Sequence, residues 1–169
     1  MNTPVQDLEI KVVEARLKVT IEAAQQTVWD ALTTNIGEWW PDSFIMGGQP
    51  AKMVIEPEVG GRVFEDAGNG GGLCWARIVT LNAPSMLQMA GDTFPGYGGP
   101  GRVFTTYQLS EEDGRTTLDF HHAQLGPKSQ TSEDSTQQGY EFLFAGCMKA
   151  WLEGRDPPEW GGHEGDASA

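Results

Sequence analysis

The chain has 169 residues, of which 11 are basic and 24 are acidic, so its formal net charge is −13. This acidic excess argues against nucleic acid and anionic membranes as partners, because both require a basic binding surface. The length fits one domain that buries roughly 70% of its unfolded surface, so the fold needs no disulfide framework.

The first predicted element is a strand with one wet face. Apolar residues alternate with charged or polar ones from Val13 to Ile21, which is typical of a half-buried antiparallel strand. Two short helices are predicted next, over residues 23–34 and 38–40, and Pro41 ends the second.

Strand-like segments separated by turn residues follow these helices. They cover residues 51–56, 61–66, 73–81, 85–90, 102–110 and 115–123. The connections PEVGG, AGNGGG and EEDG are rich in Gly, Asn and Asp, which is typical of antiparallel hairpins. Since strands and helices are segregated along the chain, the sequence predicts an α+β fold.

The longest predicted helix spans residues 131–154. Its large apolar side chains recur at steps of three and four and are Tyr140, Leu143, Phe144, Cys147, Met148 and Trp151. Thr131 suits the N-terminus, and Gly154 followed by prolines suits the end. Such a stripe requires burial, so we expect the helix to cover the concave face of the sheet, with the functional site between them.

The predicted domain covers residues 10–154. Residues 1–9 are polar and expected to fray, whereas residues 155–169 form an acidic, Pro/Gly-rich tail that is predicted to be disordered. The sequence shows no signal peptide and no apolar run of spanning length. Cys74 and Cys147 lack CxxC spacing and are predicted to be buried free thiols in a reducing, cytoplasmic setting.

Five segments, taken in order, resemble one family. They are VTIEAAQQTVWDALT with EWWP, IEPEVGGRVFED, WARIVTLNAPSML, YQLSEEDGRTTLDFHH and GYEFLFAGCMKAWLEG. Together they are similar to the START-like (SRPBCC) superfamily, in the branch of the activator of the heat-shock-protein-90 ATPase. The resemblance implies a helix-grip fold, in which a seven-stranded antiparallel sheet wraps around a long C-terminal helix and encloses a cavity.

The resemblance implies little about chemistry. Members of the superfamily include lipid and polyketide binders, aromatase/cyclases, a drug-sequestering resistance protein and co-chaperone domains, which share no catalytic set. The positions that match the family pattern are Trp39-Trp40-Pro41, Gly60-Gly61-Arg62, His122 and Gly139-Tyr140. The last pair usually reads Gly-Trp, so Tyr140 is a departure that gives the cavity a hydroxyl.

His122 is the best candidate for a catalytic or orienting group. It shares an alternating set with Leu118 and Phe120, which points it toward the helix and leaves His121 on the surface, paired with Asp119. An inward imidazole can be structural and bonded to backbone, can contact a ligand, or can act as an acid or base.

Hydroxyls from the preceding strand are expected near His122. Thr105 and Tyr107 fall in the inward set of that strand, and they either orient a ligand or merely bond to backbone. Trp40 sits where Pro41 turns the chain and is a further cavity candidate, with core packing as the alternative.

Residues 91–101 form a long predicted loop. Its stretch GYGGPG formally matches GxGxxG, but strand residues follow it and Pro100 lacks an N–H, so we reject a dinucleotide site. The loop is either inert or a lid that carries Phe94 and Tyr97.

The sequence predicts no metal site and no cofactor, because it contains no HExxH pair, Walker loop or carboxylate cluster. The leading hypothesis is reversible binding of a small hydrophobic or aromatic molecule. The predicted ligand-binding residues are Trp40, Leu87, Phe94, Tyr97, Thr105, Tyr107, Phe120, His122, Tyr140, Phe144 and Met148.

Two alternatives from other functional classes stay open. One is a cofactor-free cyclase, dehydratase or isomerase in which His122 and a Tyr hydroxyl act on a carbonyl. The other is a co-chaperone-like interaction domain with a filled interior and an outer apolar patch, to which Trp75 contributes if it lies on the convex face. The acids Glu56, Glu58, Glu65 and Asp66 are expected to be solvated, and an acidic homodimer is a further option.

Overall fold

The computed structural model describes residues 9–127 and 132–161, in which one antiparallel sheet packs on a long C-terminal helix. The strands are β1 (Ile10–Ile21), β2 (Lys52–Ile55), β3 (Arg62–Gly68), β4 (Gly71–Asn82), β5 (Met86–Thr93), β6 (Gly101–Glu112) and β7 (Arg115–Pro127). Their order in the seven-stranded sheet is β1-β7-β6-β5-β4-β3-β2. The predicted α+β helix-grip architecture is therefore confirmed.

Two hairpins close with the turn residues that the sequence provides. Asn69 and Gly70 join β3 to β4 with φ angles of 53° and 77°, and Asp113 and Gly114 join β6 to β7 with φ angles of 51° and 75°. Such two-residue turns need positive φ at both positions, and Asn-Gly and Asp-Gly adopt it at the least cost. Each turn sets the register of its own hairpin, β3 with β4 and β6 with β7.

The helices lie where the pattern predicts them. After β1 come α1 (Gln25–Leu32) and α2 (Ile36–Trp39), and then a 3-10 turn, Asp42–Phe44. The C-terminal helix consists of α3 (Ser132–Glu141), a π-helical stretch (Phe142–Met148) and α4 (Lys149–Leu152). Thr131, predicted at its N-terminus, lies outside the described residues, as do residues 1–8 and 162–169.

The π-helical stretch changes which side chains the helix buries. The amide of Lys149 donates to the carbonyl of Phe144, five residues back, which is the hydrogen bond of a π-helix. Cys147 and Met148 are buried as predicted, but Trp151 is 40% exposed and Ala150 takes its place in the core. The prediction for Trp151 is wrong because it assumed an uninterrupted α-helical period.

The segment after the helix folds back onto it. Among its residues, Pro158 lies so close to Gly146 that a Cβ there would be 2.9 Å from the proline Cγ. The ring of Trp160 packs on Phe44 and Phe142, with centroid separations of 5.2 and 4.8 Å. Pro158 and Trp160 of the tail therefore contact apolar side chains of the fold, and the disorder of residues 155–169 stays a prediction.

Both cysteines are free, but only Cys147 is buried, whereas Cys74 is exposed on β4. The prediction of two buried thiols is therefore wrong for Cys74. No helix within residues 9–127 and 132–161 is long and apolar enough to cross a membrane.

Candidate functional site

A cavity of about 300 Å³ lies between the inner face of the sheet and the C-terminal helix. Its apolar walls are mainly Ile36, Phe44, Met46, Met53, Ile55, Val63, Trp75, Ala76, Met89, Val103 and Leu143. Among the described residues that line it, none is Asp, Glu, Lys or Arg. The cavity therefore suits an uncharged guest, since a charged group would lose its hydration without gaining an ion partner.

The structure brings part of the predicted set to this cavity. The predicted residues that line it are Trp40, Tyr97, Thr105, Tyr107, His122 and Tyr140. The others do not line it: Leu87, Phe120, Phe144 and Met148 are buried in the core beside the cavity, and Phe94 is 70% exposed. The inward direction of the core residues was predicted well, but close packing between sheet and helix leaves no open space next to them.

A polar cluster around His122 stands at the inner wall. Thr105 faces His122 directly across β6 and β7, and its Oγ1 lies 2.8 Å from the imidazole Nδ1. The hydroxyl of Tyr140, from α3, lies 3.2 Å from the same nitrogen. His122 is only 4% exposed, so these hydroxyls supply hydrogen bonds that water supplies elsewhere.

An aromatic bed supports this polar cluster. Phe120 packs against Tyr140, Phe144 and Tyr107 with ring centroids 4.7, 4.8 and 5.3 Å apart. Such offset and tilted ring contacts hold the side chains rigidly. Tyr107 and Tyr140 therefore line the cavity with rings that are packed against Phe120.

The two phenols stay neutral donors over the ordinary pH range. Burial raises the pKa of Tyr107, with a smaller contribution from neighbouring Tyr140, and burial also raises the pKa of Tyr140. Among the described residues the Tyr107 hydroxyl makes no hydrogen bond. The Thr93 Oγ1, also in the cavity wall, is buried without a partner within the described part of the chain.

His121 lies on the outer face as predicted, but its partner differs. Its Nε2 lies 2.8 Å from Oε1 of Glu14 on β1, while Asp119 pairs with Lys18 at 3.2 Å. The predicted His121–Asp119 pair is wrong because a neighbouring strand brings a carboxylate closer than a residue two positions along the same strand. This contact, with a further one from Arg16, lowers the pKa of Glu14.

Trp75 lines the cavity instead of the convex face. The pairing of β3 with β4 shifts register between Val63, opposite Ala76, and Phe64, opposite Cys74, so Trp75 is an extra residue in β4. A bulge of this kind interrupts strand alternation and re-aims a side chain. The expectation from Arg77 was wrong because alternation does not carry across a bulge.

Glu65 is the second residue whose environment was not predicted from the sequence. It is fully buried behind the wall residues Trp75 and Met46, where its carboxylate accepts hydrogen bonds from Trp75 Nε1 at 2.8 Å and from the amide of Met46 at 3.0 Å. The expectation of a solvated Glu65 is wrong, although its alternation with buried Val63 was a signal for an inward position. Glu58 and Asp66 are exposed, as expected, and Glu56 pairs with Arg62.

The predicted loop is shorter than its sequence indicates. β5 continues to Thr93 and β6 begins at Gly101, which leaves residues 94–100 between them. Tyr97 reaches back over the cavity and meets the ring of Trp75 edge-on at 6.2 Å, and Gln124 Nε2 donates to the carbonyl of Gly98 at 3.3 Å. Whether the loop acts as a lid stays a prediction.

Sequence reasoning missed several wall residues. Met46, Met53, Met89 and Gln124 line the cavity together with Thr93. The methionines are a recoverable signal, since flexible thioethers often line adaptable sites. Within the described ranges, no group of His, Cys, Asp and Glu side chains is placed to hold a metal ion.

Comparisons with known proteins agree with this fold. The sequence model described as "Activator of Hsp90 ATPase homolog 1-like protein" matches residues 22–153. No curated protein matches the sequence significantly. Similar solved structures exist, and their low identities support the fold alone.

Three of these structures illustrate the likeness. Protein MLL2253 from Mesorhizobium loti has a TM-score of 0.64 at 20% identity, covering 85% of this chain and 98% of that one. Ara h 8.0201 has a TM-score of 0.62 at 13% identity, with 86% and 100% coverage. The Aha1 dimer from Colwellia psychrerythraea has a TM-score of 0.54 at 20% identity, with 83% and 96% coverage.

Proposed function

The chain belongs to the family of Activator of Hsp90 ATPase homolog 1-like proteins, and from this premise we propose that it reversibly binds a small, uncharged, mostly aromatic molecule. The observation that carries the proposal is the cavity of about 300 Å³, whose apolar walls meet a polar cluster around His122. This combination is typical of small-molecule sites. Burial of aromatic surface supplies affinity, and the cluster around His122 and Tyr107 orients the guest.

The first test is native mass spectrometry of the purified protein beside a denatured sample. A retained mass that disappears on denaturation identifies the guest directly. In parallel, N-phenyl-1-naphthylamine, an uncharged aromatic probe, is expected to raise the melting temperature, because a ligand that binds only the folded state stabilises it. A melting temperature that no probe in a broad apolar library raises would contradict the proposal.

A matched pair of ligands tests the orienting role of the polar cluster. The variant His122→Leu is expected to weaken the binding of 2-naphthol by about fivefold, since one hydrogen bond is worth roughly 1 kcal/mol. Naphthalene, which has no polar head, is expected to bind the variant as well as the wild type. Equal losses for the two ligands would show that the substitution had only disturbed the cavity.

Acid–base catalysis by His122 is the second candidate. It is favoured by one observation, the two hydroxyls within 2.8 and 3.2 Å of the imidazole Nδ1, which could relay or hold a proton. An enzyme of this kind would lose turnover in His122→Ala while it kept its fold and its affinity for a product analogue. The interaction-domain alternative requires a filled interior, and the cavity does not favour it.

A further inference from the structure

Glu65 is a buried carboxylate that joins two separate walls of the cavity. Its partners are the indole Nε1 of Trp75 on β4 and the amides of Met46 and Gly47, which follow the 3-10 turn. These N–H donors lie 10 to 19 residues from Glu65 along the chain. A buried carboxylate requires such donors, because it would otherwise lose its hydration without compensation.

The segment that contains Gly47 is packed directly on the carboxylate. A Cβ at Gly47 would lie 2.9 Å from Oε2 of Glu65 and 2.6 Å from Cβ of Leu73. Only glycine therefore lets this backbone approach closely enough to donate its amide. The sequence is thus adapted, at position 47, to the contact that Glu65 makes.

The same contact reaches the opening of the cavity. Met46 and Tyr97 are the wall residues with high exposure, at 55% and 37%, so they mark where the cavity meets solvent. Met46 is held by its own amide, and Tyr97 rests edge-on against the indole that Glu65 fixes. One carboxylate therefore holds both sides of this opening.

We propose that Glu65 is a positioning residue, which orients Trp75 and thereby seats Tyr97 at the opening of the cavity. Loss of the carboxylate releases the indole, widens the range of positions open to Tyr97 and weakens retention of an aromatic guest. The effect on a guest rests on the proposed function, whereas the effect on Tyr97 does not.

Fluorine NMR on protein labelled with 3-fluorotyrosine tests the proposal without a ligand. The chain has three tyrosines, Tyr97, Tyr107 and Tyr140, and all of them line the cavity, so each resonance reports on a known part of the wall. In Glu65→Gln, one of the two acceptor oxygens becomes an NH₂ group that opposes N–H donors instead of accepting from them, so the Tyr97 resonance is expected to shift or broaden. The resonances of Tyr107 and Tyr140, whose rings pack on Phe120 and Phe144 and not on Trp75, are expected to stay.

The affinity for N-phenyl-1-naphthylamine provides the second readout. Glu65→Gln is expected to weaken the binding of the probe by about tenfold, measured at a temperature well below the melting temperature of the variant. Glu56→Gln is the matched control, because it removes a neighbouring carboxylate that pairs with Arg62 outside the cavity. An unchanged Tyr97 resonance and unchanged affinity in a folded Glu65→Gln protein would overturn the proposal and leave Glu65 a purely structural residue.

Trp75→Phe decides the matter if Glu65→Gln does not fold. This variant keeps the carboxylate and its two backbone donors, and it replaces the indole by a smaller ring that has no N–H. The Tyr97 resonance is expected to broaden, because the ring it rests on is no longer tied to Glu65, and a resonance as narrow as in wild type would refute the positioning role. If wild-type protein fails to bind the probe, the proposed function loses its support, but the fluorine spectra still test the positioning of Tyr97.

Discussion

At the scale of single residues, the cavity separates hydroxyls with partners from hydroxyls without them. The hydroxyls of Thr105 and Tyr140 both lie within hydrogen-bond distance of His122, while the Tyr107 hydroxyl makes no hydrogen bond among the described residues. A buried hydroxyl without a partner adds nothing to stability. Tyr107, like Thr93, is therefore a polar group that the protein can offer to a guest without breaking a hydrogen bond of its own.

The substitution Tyr107→Phe is expected to leave the free energy of unfolding within about 0.5 kcal/mol of wild type. It should weaken the binding of 2-naphthol by about threefold to tenfold, since a hydrogen bond to the guest is lost. Calorimetric titration and chemical denaturation measure the two quantities. Tyr140→Phe is the comparison, because it also removes the contact with His122, and a larger stability loss in Tyr107→Phe would contradict the assignment.

Glu56 provides a pH-dependent contact outside the cavity. Hydrogen bonds from the side chain and backbone of Arg62 lower the pKa of Glu56 to about 2, from 4.5. Since the folded-state pKa is depressed, the pair stabilises the fold above pH 4.5 and loses its effect as pH falls through 2.

An NMR titration of the Glu56 side-chain carboxyl is expected to give this low midpoint. In Glu56→Gln, stability should depend less on pH over the same acidic range, because the titrating group is gone. A Glu56 midpoint near 4.5 would show that the ion pair with Arg62 is absent in solution.

At the scale of elements, regular strands could be predicted from the sequence and irregular ones could not. On β6 and β7 the alternation of Thr105, Tyr107 and His122 holds over the full length, so their inward direction was predictable. On β4 one extra residue reverses the alternation at Trp75, and no turn residue or proline marks the bulge. The alternation of apolar and polar residues predicts which side chains face inward only while the pairing with the neighbouring strand is uninterrupted.

The hydrogen-bond partners of Glu65 could not be predicted from the sequence for a different reason. Its donors come from the segment after the 3-10 turn and from β4, so the contact arises only when the chain is folded. A carboxylate in a strand is solvated by default, and three converging N–H groups overturn that default here. Gly47 and the alternation with Val63 are the only local traces of the arrangement.

The family pattern Gly60-Gly61-Arg62 has a steric explanation that can be tested. A Cβ at Gly61 would lie 2.1 Å from the carbonyl oxygen of Glu56, so Gly61→Ala must displace backbone. We expect a loss of about 2 kcal/mol or more in the free energy of unfolding. Chemical denaturation measures it.

Gly114→Ala is the matched control for that experiment. Its Cβ would meet open space, and only the positive φ of 75° opposes it, so the expected loss is about 1 kcal/mol. A greater loss at position 114 than at position 61 would contradict the steric explanation.

At the scale of the whole molecule, the tail completes the fold. Trp160 covers Phe44, which lines the cavity, and Phe142 on the C-terminal helix. The tail composition predicts disorder, which stays a prediction, and Trp160 and Pro158 are the tail residues that pack on the fold. Composition averages over a segment and does not indicate such individual contacts.

Trp160→Ala is expected to reduce the free energy of unfolding by about 1–2 kcal/mol, since ring contacts of this kind are worth roughly 0.5–1.5 kcal/mol each. Trp151→Ala is the matched control, because Trp151 is equally exposed, at 40%, but has no aromatic partner in the described part of the chain. Thermal denaturation compares them. Equal losses would mean that the tail does not stabilise the fold.

The π-helical stretch gives the C-terminal helix a spare residue. An α-helix advances by about 100° per residue, so the half that bears Tyr140 and the half that bears Met148 are out of phase by roughly that angle. Deletion of exposed Ala145 is expected to restore a regular α-helix in which Ala150 stays buried and Trp151 stays exposed, so the helix can change its length by one residue and stay helical. The surplus residue is a local irregularity in an otherwise α-helical segment. If this residue shifts along the stretch, the Tyr140 half moves relative to the Met148 half, and hydrogen exchange of residues 142–148 is then expected to be faster than that of α4.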